Sequence, residues 1–251
     1  EGLYEGKESA GIVVLGILNP KKTLTNDEET FIAEIEIPYV LSLLGYHDTS
    51  AYVPGLKDLV YGNSEKNIIP VSSKIEKGKL AVQALEDYKN AKKMNDLEEQ
   101  IKSKKILDEN MKYFGYGYIK NAEDIVPPVA ITFYAFHIMV LLGGWFTFLF
   151  MMVLYLTLKK DITKFRVVLL SAVWSIPLGY IAGEAGWVVA EVGRQPWAIQ
   201  DLMPVGIAAT KIATTNVMIS FALFAVLFTV LLIAEIKIMT KQISIGPNKG
   251  H

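Results

Sequence analysis

After Pro127-Pro128 the sequence changes character, and three long apolar runs follow. Val129 to Leu158 holds no Asp, Glu, Lys or Arg; Val167 to Ala190 holds only Glu184; Ile212 to Ala234 holds none. Each run exceeds the roughly 20 residues a helix needs to cross a hydrocarbon core about 30 Å thick. Lipid offers no water to unpaired backbone groups, so each run must close its own N–H and C=O bonds as a helix. The expected fold is an all-α integral membrane protein: a transmembrane helix bundle with a large extracytoplasmic loop domain. The spans are expected at about 129–158, 167–192 and 212–236. Residues 1–125 form the loop domain in this reading; residues 126–251 hold the three helices and a short carboxy-terminal tail.

Composition fits such a division. A chain with 51% hydrophobic and 20% charged residues averages two environments, and most of the charge lies before residue 126. No cysteine is present, which excludes disulfides and thiolate-bound metals; a metal would have to use His, Met or carboxylate. No basic stripe with interleaved aromatics appears, so nucleic acid is not an expected partner. Lys159, Lys160, Lys164 and Arg166 follow the first span, and Lys237, Lys241 and Lys249 follow the third. Between the second and third spans stand only Arg194 and Lys211, partly offset by Asp201. The positive-inside rule puts the carboxy terminus in the cytoplasm and the polar half outside; its lysines do not oppose this, because long domains translocate largely regardless of charge. The chain opens on Glu1 with no signal peptide or earlier span, so an amino-terminal part is expected to be missing.

In the polar half, FIAEIEIPYVLSLLGYHDT alternates at Ile35, Ile37, Tyr39 and Leu41 and reads equally as strand or short helix. Pro54-Gly55 signals a turn. From Lys79 to Tyr113 a stretch rich in Lys, Glu, Ala and Leu predicts a solvated amphipathic helix or helical hairpin, with Leu80, Ala84, Leu85, Tyr88 and Ala91 on one face.

Two places in the apolar half bear chemistry. Glu184, Trp187, Glu191 and Arg194 follow one another at +3, +4 and +3, which on a helix gives one stripe roughly 80° wide. An ionisable group within a span costs several kcal/mol unless it faces the bundle and finds a partner. Glu191 and Arg194 either pair with each other near the interface, with Trp187 in the aromatic belt, or serve a proton path or a metal. In the first span His137 and Met139 are two residues apart, so they point to nearly opposite faces and cannot share one metal. Gly143-Gly144 leaves room for close approach by another helix or a flat cofactor.

The string GWVVAEVGRQPWAI, with PLGYIAGEAGW before it, resembles the GRQPW signature of the cytochrome bd subunit I family. FYAFHIMVLLG, IPYVLSLL, PGLKDL and the opening EGLYEG resemble the same family, from residue 1 to about 247; only the Lys-rich stretch near 60–110 does not. The resemblance implies a quinol:O2 oxidoreductase in which subunit I has nine transmembrane helices and three haems. Residues 1–125 are then most of the Q-loop, the quinol-site region between the sixth and seventh helices, and the three spans are helices seven to nine.

By that resemblance Met139 is an axial ligand of the low-spin haem b558, and Glu191 is associated with the iron of the high-spin haem b595. Haem d, or a third haem b in its place, completes the set. Trp187 and Arg194 match the neighbouring residues of the motif, Glu184 matches a Glu of a proton route, and Glu1 matches a Q-loop Glu facing quinol. Some relatives carry Arg where this chain has His137, which exchanges a permanent charge for a titratable group beside the haem. Further implications are a subunit II partner, small accessory subunits, dioxygen as oxidant, charge separation without a pump, and a bacterial or archaeal cytoplasmic membrane. This stretch alone is expected to be inactive. Two rivals need no haem: a transporter coupling ions through Glu184 and Glu191, or a membrane-anchored extracytoplasmic binding protein.

Overall fold

A computed structural model describes residues 3–159, 161–210 and 212–246. The chain divides into two compact units, one running to Ala208 and one starting at Ala209. Glu1, Lys160, Lys211 and Lys249, singled out above, lie outside the described residues.

The first unit opens with β1 (Lys7–Glu8), β2 (Ile12–Leu18) and β3 (Phe31–Ile37). Then come α1 (Val40–Tyr46), β4 (Tyr52–Val53) and α2 (Leu56–Tyr61). β2 and β3 pair antiparallel from Ile12 opposite Ile37 to Leu18 opposite Phe31, and β1 pairs antiparallel with β4. The segment that read as either strand or helix is both in turn. β3 runs to Ile37, Pro38 withholds a ladder N–H, Tyr39 takes a left-handed φ of 67°, and α1 follows. Ser42, fully buried, ties α1 down: its Oγ accepts from the Ala10 N–H at 2.8 Å and donates to the Ala51 carbonyl at 2.8 Å.

Asp58 in α2 organises the neighbouring turn. Its carboxylate accepts from Tyr52 Oη at 2.6 Å, Asn63 Nδ2 at 2.9 Å and the Gly55 N–H at 3.0 Å. Burial pushes its pKa up, but these donors and the Gly6 N–H together hold the carboxyl below the usual range. The same contact, with burial, pushes the Tyr52 phenol up to about 12. A depressed folded-state pKa stabilises the fold above the ordinary carboxylate pKa of about 4, and that stabilisation is lost as pH falls through the lower folded value. Amide exchange of residues 52–63, corrected for intrinsic rates, is therefore expected to lose protection in acid in the wild type. Asp58→Asn should start less protected at pH 7 and respond much less to acid; an acid response equal to the wild type would refute the assignment.

α3 (Val71–Met94) and α4 (Leu97–Asn110) form the anticipated helical hairpin. Asn95 turns the corner at a left-handed φ of 55°, and the Asp96 carboxylate caps α4 by accepting from the Glu98 and Glu99 N–H groups. The buried stripe of α3 is Val71, Ile75, Gly78, Ala81, Ala84 and Ala91; it keeps Ala84 and Ala91 of the predicted face, but Leu80 is 56% exposed. The reason is what lies opposite. The 3₁₀ segment Met111–Tyr118 runs against α3, and its Gly117 meets Gly78 backbone to backbone. A Cβ on Gly78 would collide with the Gly117 nitrogen and the Tyr113 carbonyl oxygen, so small residues and not leucines mark the contact.

α5 (Val129–Lys159) and α6 (Arg166–Val192) are joined by a short turn, with the Asp161 carboxylate capping the 3₁₀ segment Ile162–Lys164. They pack on each other through Leu149, Leu156 and Val168, and Trp145 Nε1 donates to Ser175 Oγ at 2.8 Å. β5 (Trp197–Ile199), β6 (Met203–Pro204) and α7 (Val205–Ala208) close the unit. The second unit is α8 (Thr214–Ile245), 32 residues long. It extends past the expected end at 236 because Lys237 and Lys241 sit in a sequence with no helix breaker until Gly246. α5, α6 and α8 are each long and apolar enough to cross a membrane.

Candidate functional site

His137 and Met139 leave α5 in different directions, as their spacing requires. The Met139 thioether leans on α6 at Gly186, where an added Cβ would stand 3.4 Å from its sulfur. His137 turns toward the β2–β3 hairpin. Its Nδ1 lies 2.8 Å from the Phe133 carbonyl oxygen and its Nε2 lies 2.8 Å from that of Val13. A neutral imidazole has one N–H, so it donates to one of these two oxygens at a time. Phe133 and Phe136 flank the ring with centroids 4.0 and 5.7 Å away, and Phe31 of β3 packs on Phe133 at 5.4 Å. Tyr134 Oη accepts from the Leu18 N–H at 3.0 Å. The hairpin is thus pinned to the first turns of α5.

Between hairpin and helices lies a cavity of about 270 Å³ lined by Val13, Phe31, Phe133, Phe136, His137 and Val189. Most of this site was missed in the sequence. The Phe133–His137 spacing of four, which puts both rings on one face, was the available signal; the contribution of Val13 and Phe31 carried none.

Glu184, Trp187, Glu191 and Arg194 are all exposed, with Trp187 at 67%. At 100° per residue Glu184, Trp187 and Glu191 lie roughly 200–260° around α6 from buried Ala185, and Arg194 follows the end of the helix at Val192. Gly179, Gly183, Glu184 and Trp187 line an open groove of about 410 Å³ on this side. Glu191 and Arg194 form no ion pair among the described residues; the backbone carbonyl of Glu191 accepts from Gln195 Nε2 at 3.1 Å. Met139 and the acid stripe are therefore separate, one against Gly186 and the other across α6.

The motif GRQPW forms the turn after α6. Its Trp197 is buried, 5% exposed, in a core with Val71, Ile75, Tyr113, Tyr116 and Ile119. Tyr116 meets Trp197 edge-on with centroids 5.0 Å apart, and its hydroxyl donates to Asp201 at 2.6 Å. Burial, then the Asp201 carboxylate, pushes the Tyr116 phenol up. α3 and the 3₁₀ segment Met111–Tyr118 thus anchor the motif's last residue, a contact the sequence alone did not reveal.

No three His, Asp or Glu side chains converge on one point among the described residues. A haem asks for less, since the macrocycle brings four equatorial nitrogens and the protein adds one or two axial donors. Met139 offers a neutral thioether within a span. Around Gly143, Gly144 and Gly183 no atom lies within 4 Å of an added Cβ, so flat groups can approach the backbone there. These residues fit the group.

Comparison with known proteins agrees. The family model for cytochrome bd terminal oxidase subunit I matches residues 1–247. Cytochrome bd-II ubiquinol oxidase subunit 1 of Escherichia coli (strain K12) is 31% identical over 227 residues, 88% of this chain and 44% of that protein. Cytochrome bd ubiquinol oxidase subunit 1 of Bacillus subtilis (strain 168) is 25% identical over 210 residues, covering 83% of this chain and 34% of that one. The solved bd oxidase from Geobacillus thermodenitrificans superposes with a TM-score of 0.53 at 25% identity, covering 97% of this chain and 40% of its own. The chain spans less than half the length of these relatives. With the GRQPW turn, the apolar helices and the matched family model in agreement, the chain belongs to the cytochrome bd terminal oxidase subunit I family.

Proposed function

We propose that this chain is the quinol-side and haem-bearing part of a terminal oxidase subunit that oxidises quinol and reduces dioxygen to water. The observation that carries the reading is one of position. An apolar cavity with an imidazole in its wall sits where the polar half meets α5, and Met139 stands two residues from that imidazole on the same helix. A quinol ring is flat and apolar with hydroxyls at its edge. Phe31, Phe133 and Phe136 suit its faces, and His137 or the Val13 carbonyl suits a hydroxyl. Two relatives are named ubiquinol oxidases, in keeping with this ring.

In this reading residues 1–125 are the Q-loop domain on the outer face, residues 126–251 carry the spans, and the carboxy terminus is cytoplasmic. Met139 would hold the low-spin haem b558 and Glu191 would serve the high-spin haem b595, and haem d or a third haem b would complete the set. The haems supply stepwise electron transfer from quinol and the dioxygen chemistry. The chain's own residues do the rest. Phe133 and Phe31 hold the donor ring and keep water away, His137 orients its hydroxyl, and Glu184 and Glu191 relay protons with Arg194 offsetting negative charge. Glu1 is a further quinol contact. Proton release outside and uptake inside give charge separation without a pump. A subunit II completes the complex, with room for accessory subunits, in a bacterial or archaeal cytoplasmic membrane.

The test uses the full-length subunit with its partner. A reduced-minus-oxidised spectrum is expected to show haem bands, and their absence sinks the oxidase reading in favour of the transporter or anchored binding protein. Phe133→Trp, which overfills the cavity, is expected to raise KM for quinol about tenfold, ~1.4 kcal/mol of binding, with the haem spectrum unchanged. An unaltered KM would put the quinol elsewhere.

A further inference from the structure

From β3 to the end of α1 the chain turns Ile35, Ile37, Tyr39, Leu43, Leu44 and Tyr46 outward, each between 46% and 64% exposed. None of them lines the cavity proposed for quinol. Ile37 to His47 holds no Asp, Glu, Lys or Arg, in a polar half that carries most of the charge. The strand is two-sided. Glu34 and Glu36 line an open polar chamber with Lys7 and Lys22, and Ile35 and Ile37, one residue out of step, face the other way. α1 is held firmly, because Ser42 is fully buried and hydrogen-bonded to Ala10 and Ala51. The apolar face is therefore part of the fold and not a frayed end.

The helices give the level of that face. Lys159 ends α5 and Arg166 begins α6, so the two charges mark one edge of the membrane. At 1.5 Å per residue His137 stands about 33 Å along α5 from Lys159, and Val189 stands about 35 Å along α6 from Arg166. A hydrocarbon core is about 30 Å thick. His137 and Val189 line the same cavity as Leu41 of α1. α1 thus lies just past the far edge of the core, at the depth of the lipid head groups.

We propose that this face seats in the membrane interface on the side of the polar half, with Ile35, Leu43 and Leu44 among the uppermost acyl carbons and Tyr39 and Tyr46 at the head groups. Tyrosine, apolar in its ring and polar at its tip, belongs at that boundary, and one stands at each end of α1. A segment without charge enters the interface without taking an ion from water. Lipid is also what surrounds membrane spans at this depth, so depth and chemistry point to the same occupant. The proposal needs only that α5 and α6 cross the membrane and does not rest on the oxidase reading.

The experiment uses the full-length subunit with its partner, reconstituted in vesicles of phosphatidylethanolamine and phosphatidylglycerol. The photo-crosslinker p-benzoylphenylalanine replaces Leu44, Ile35 or, as a control on the opposite face of β3, the exposed Glu34. Adducts on the digested subunit are read by mass spectrometry. Co-purification with the partner and an unchanged thermal midpoint show that a variant is folded, and Ile35 carries the test if the Leu44 variant fails that check. Lipid adducts at Leu44 and Ile35 are expected at least tenfold above those at Glu34. Adducts to another protein segment in their place overturn the proposal and make the face a contact within the complex. Lipid adducts no more frequent than at Glu34 also overturn it, and leave the face in water.

Discussion

Met139→Leu in the full-length subunit is expected to abolish the low-spin haem b band of the reduced-minus-oxidised spectrum and to lower quinol oxidation at least 100-fold. Leucine nearly conserves the volume against Gly186, and such swaps usually cost under about 1.5 kcal/mol of stability. What disappears is the thioether, a neutral axial donor that raises a haem's potential relative to a second imidazole. A companion variant separates ligation from position. With 3.4 Å between an added Cβ at Gly186 and the Met139 sulfur, alanine there makes ordinary contact, whereas leucine must push the thioether aside. Gly186→Ala is therefore expected to keep the low-spin band, and Gly186→Leu to shift or weaken it while Met139 is intact. Bands unchanged in Met139→Leu would keep the chain in its family but take the ligand role from this residue.

The apolar spans were legible because lipid leaves the backbone no alternative; Pro127-Pro128 precede the start of α5, which ends on Lys159, and α6 begins on Arg166. The shared face of Glu184, Trp187 and Glu191 was legible because it depends only on helical periodicity, whereas Arg194 lies past the end of α6 at Val192. What failed to show depends on pairings far apart in sequence. Val13 meets His137 across 124 residues, and Tyr116 meets Asp201 across 85. The apolar pattern of α3 misled for a related reason. Its partner is glycine backbone in the Met111–Tyr118 segment, so the interface selects small residues and leaves Leu80 outside. The β2–β3 hairpin was half visible: alternation announced a strand, but Pro38 and the left-handed Tyr39 were needed to say where it ended.

Glu191→Gln is expected to leave the low-spin haem b band in place, to perturb the high-spin haem signals, and to lower turnover by at least 100-fold, about 2.7 kcal/mol of transition-state stabilisation. Glutamine keeps the shape of the side chain and removes its charge and its exchangeable proton. The charge matters because Glu191 lies in the last turn of a membrane-spanning helix, exposed and with no partner for its carboxylate among the described residues. Such a group is costly in lipid unless something absent from this stretch of chain engages it. Arg194, one turn on, does not, since the two form no ion pair. The selectivity follows from geometry. Met139 lies against Gly186, on the α5 side of the helix, and Glu191 projects from the far side with Trp187 and Glu184. Two substitutions on opposite sides of α6 should silence different haems, and the double variant should lose both signatures. Loss of the low-spin band in Glu191→Gln alone would mean that the two positions serve one centre, and turnover within threefold of wild type would remove Glu191 from the oxygen side of the reaction.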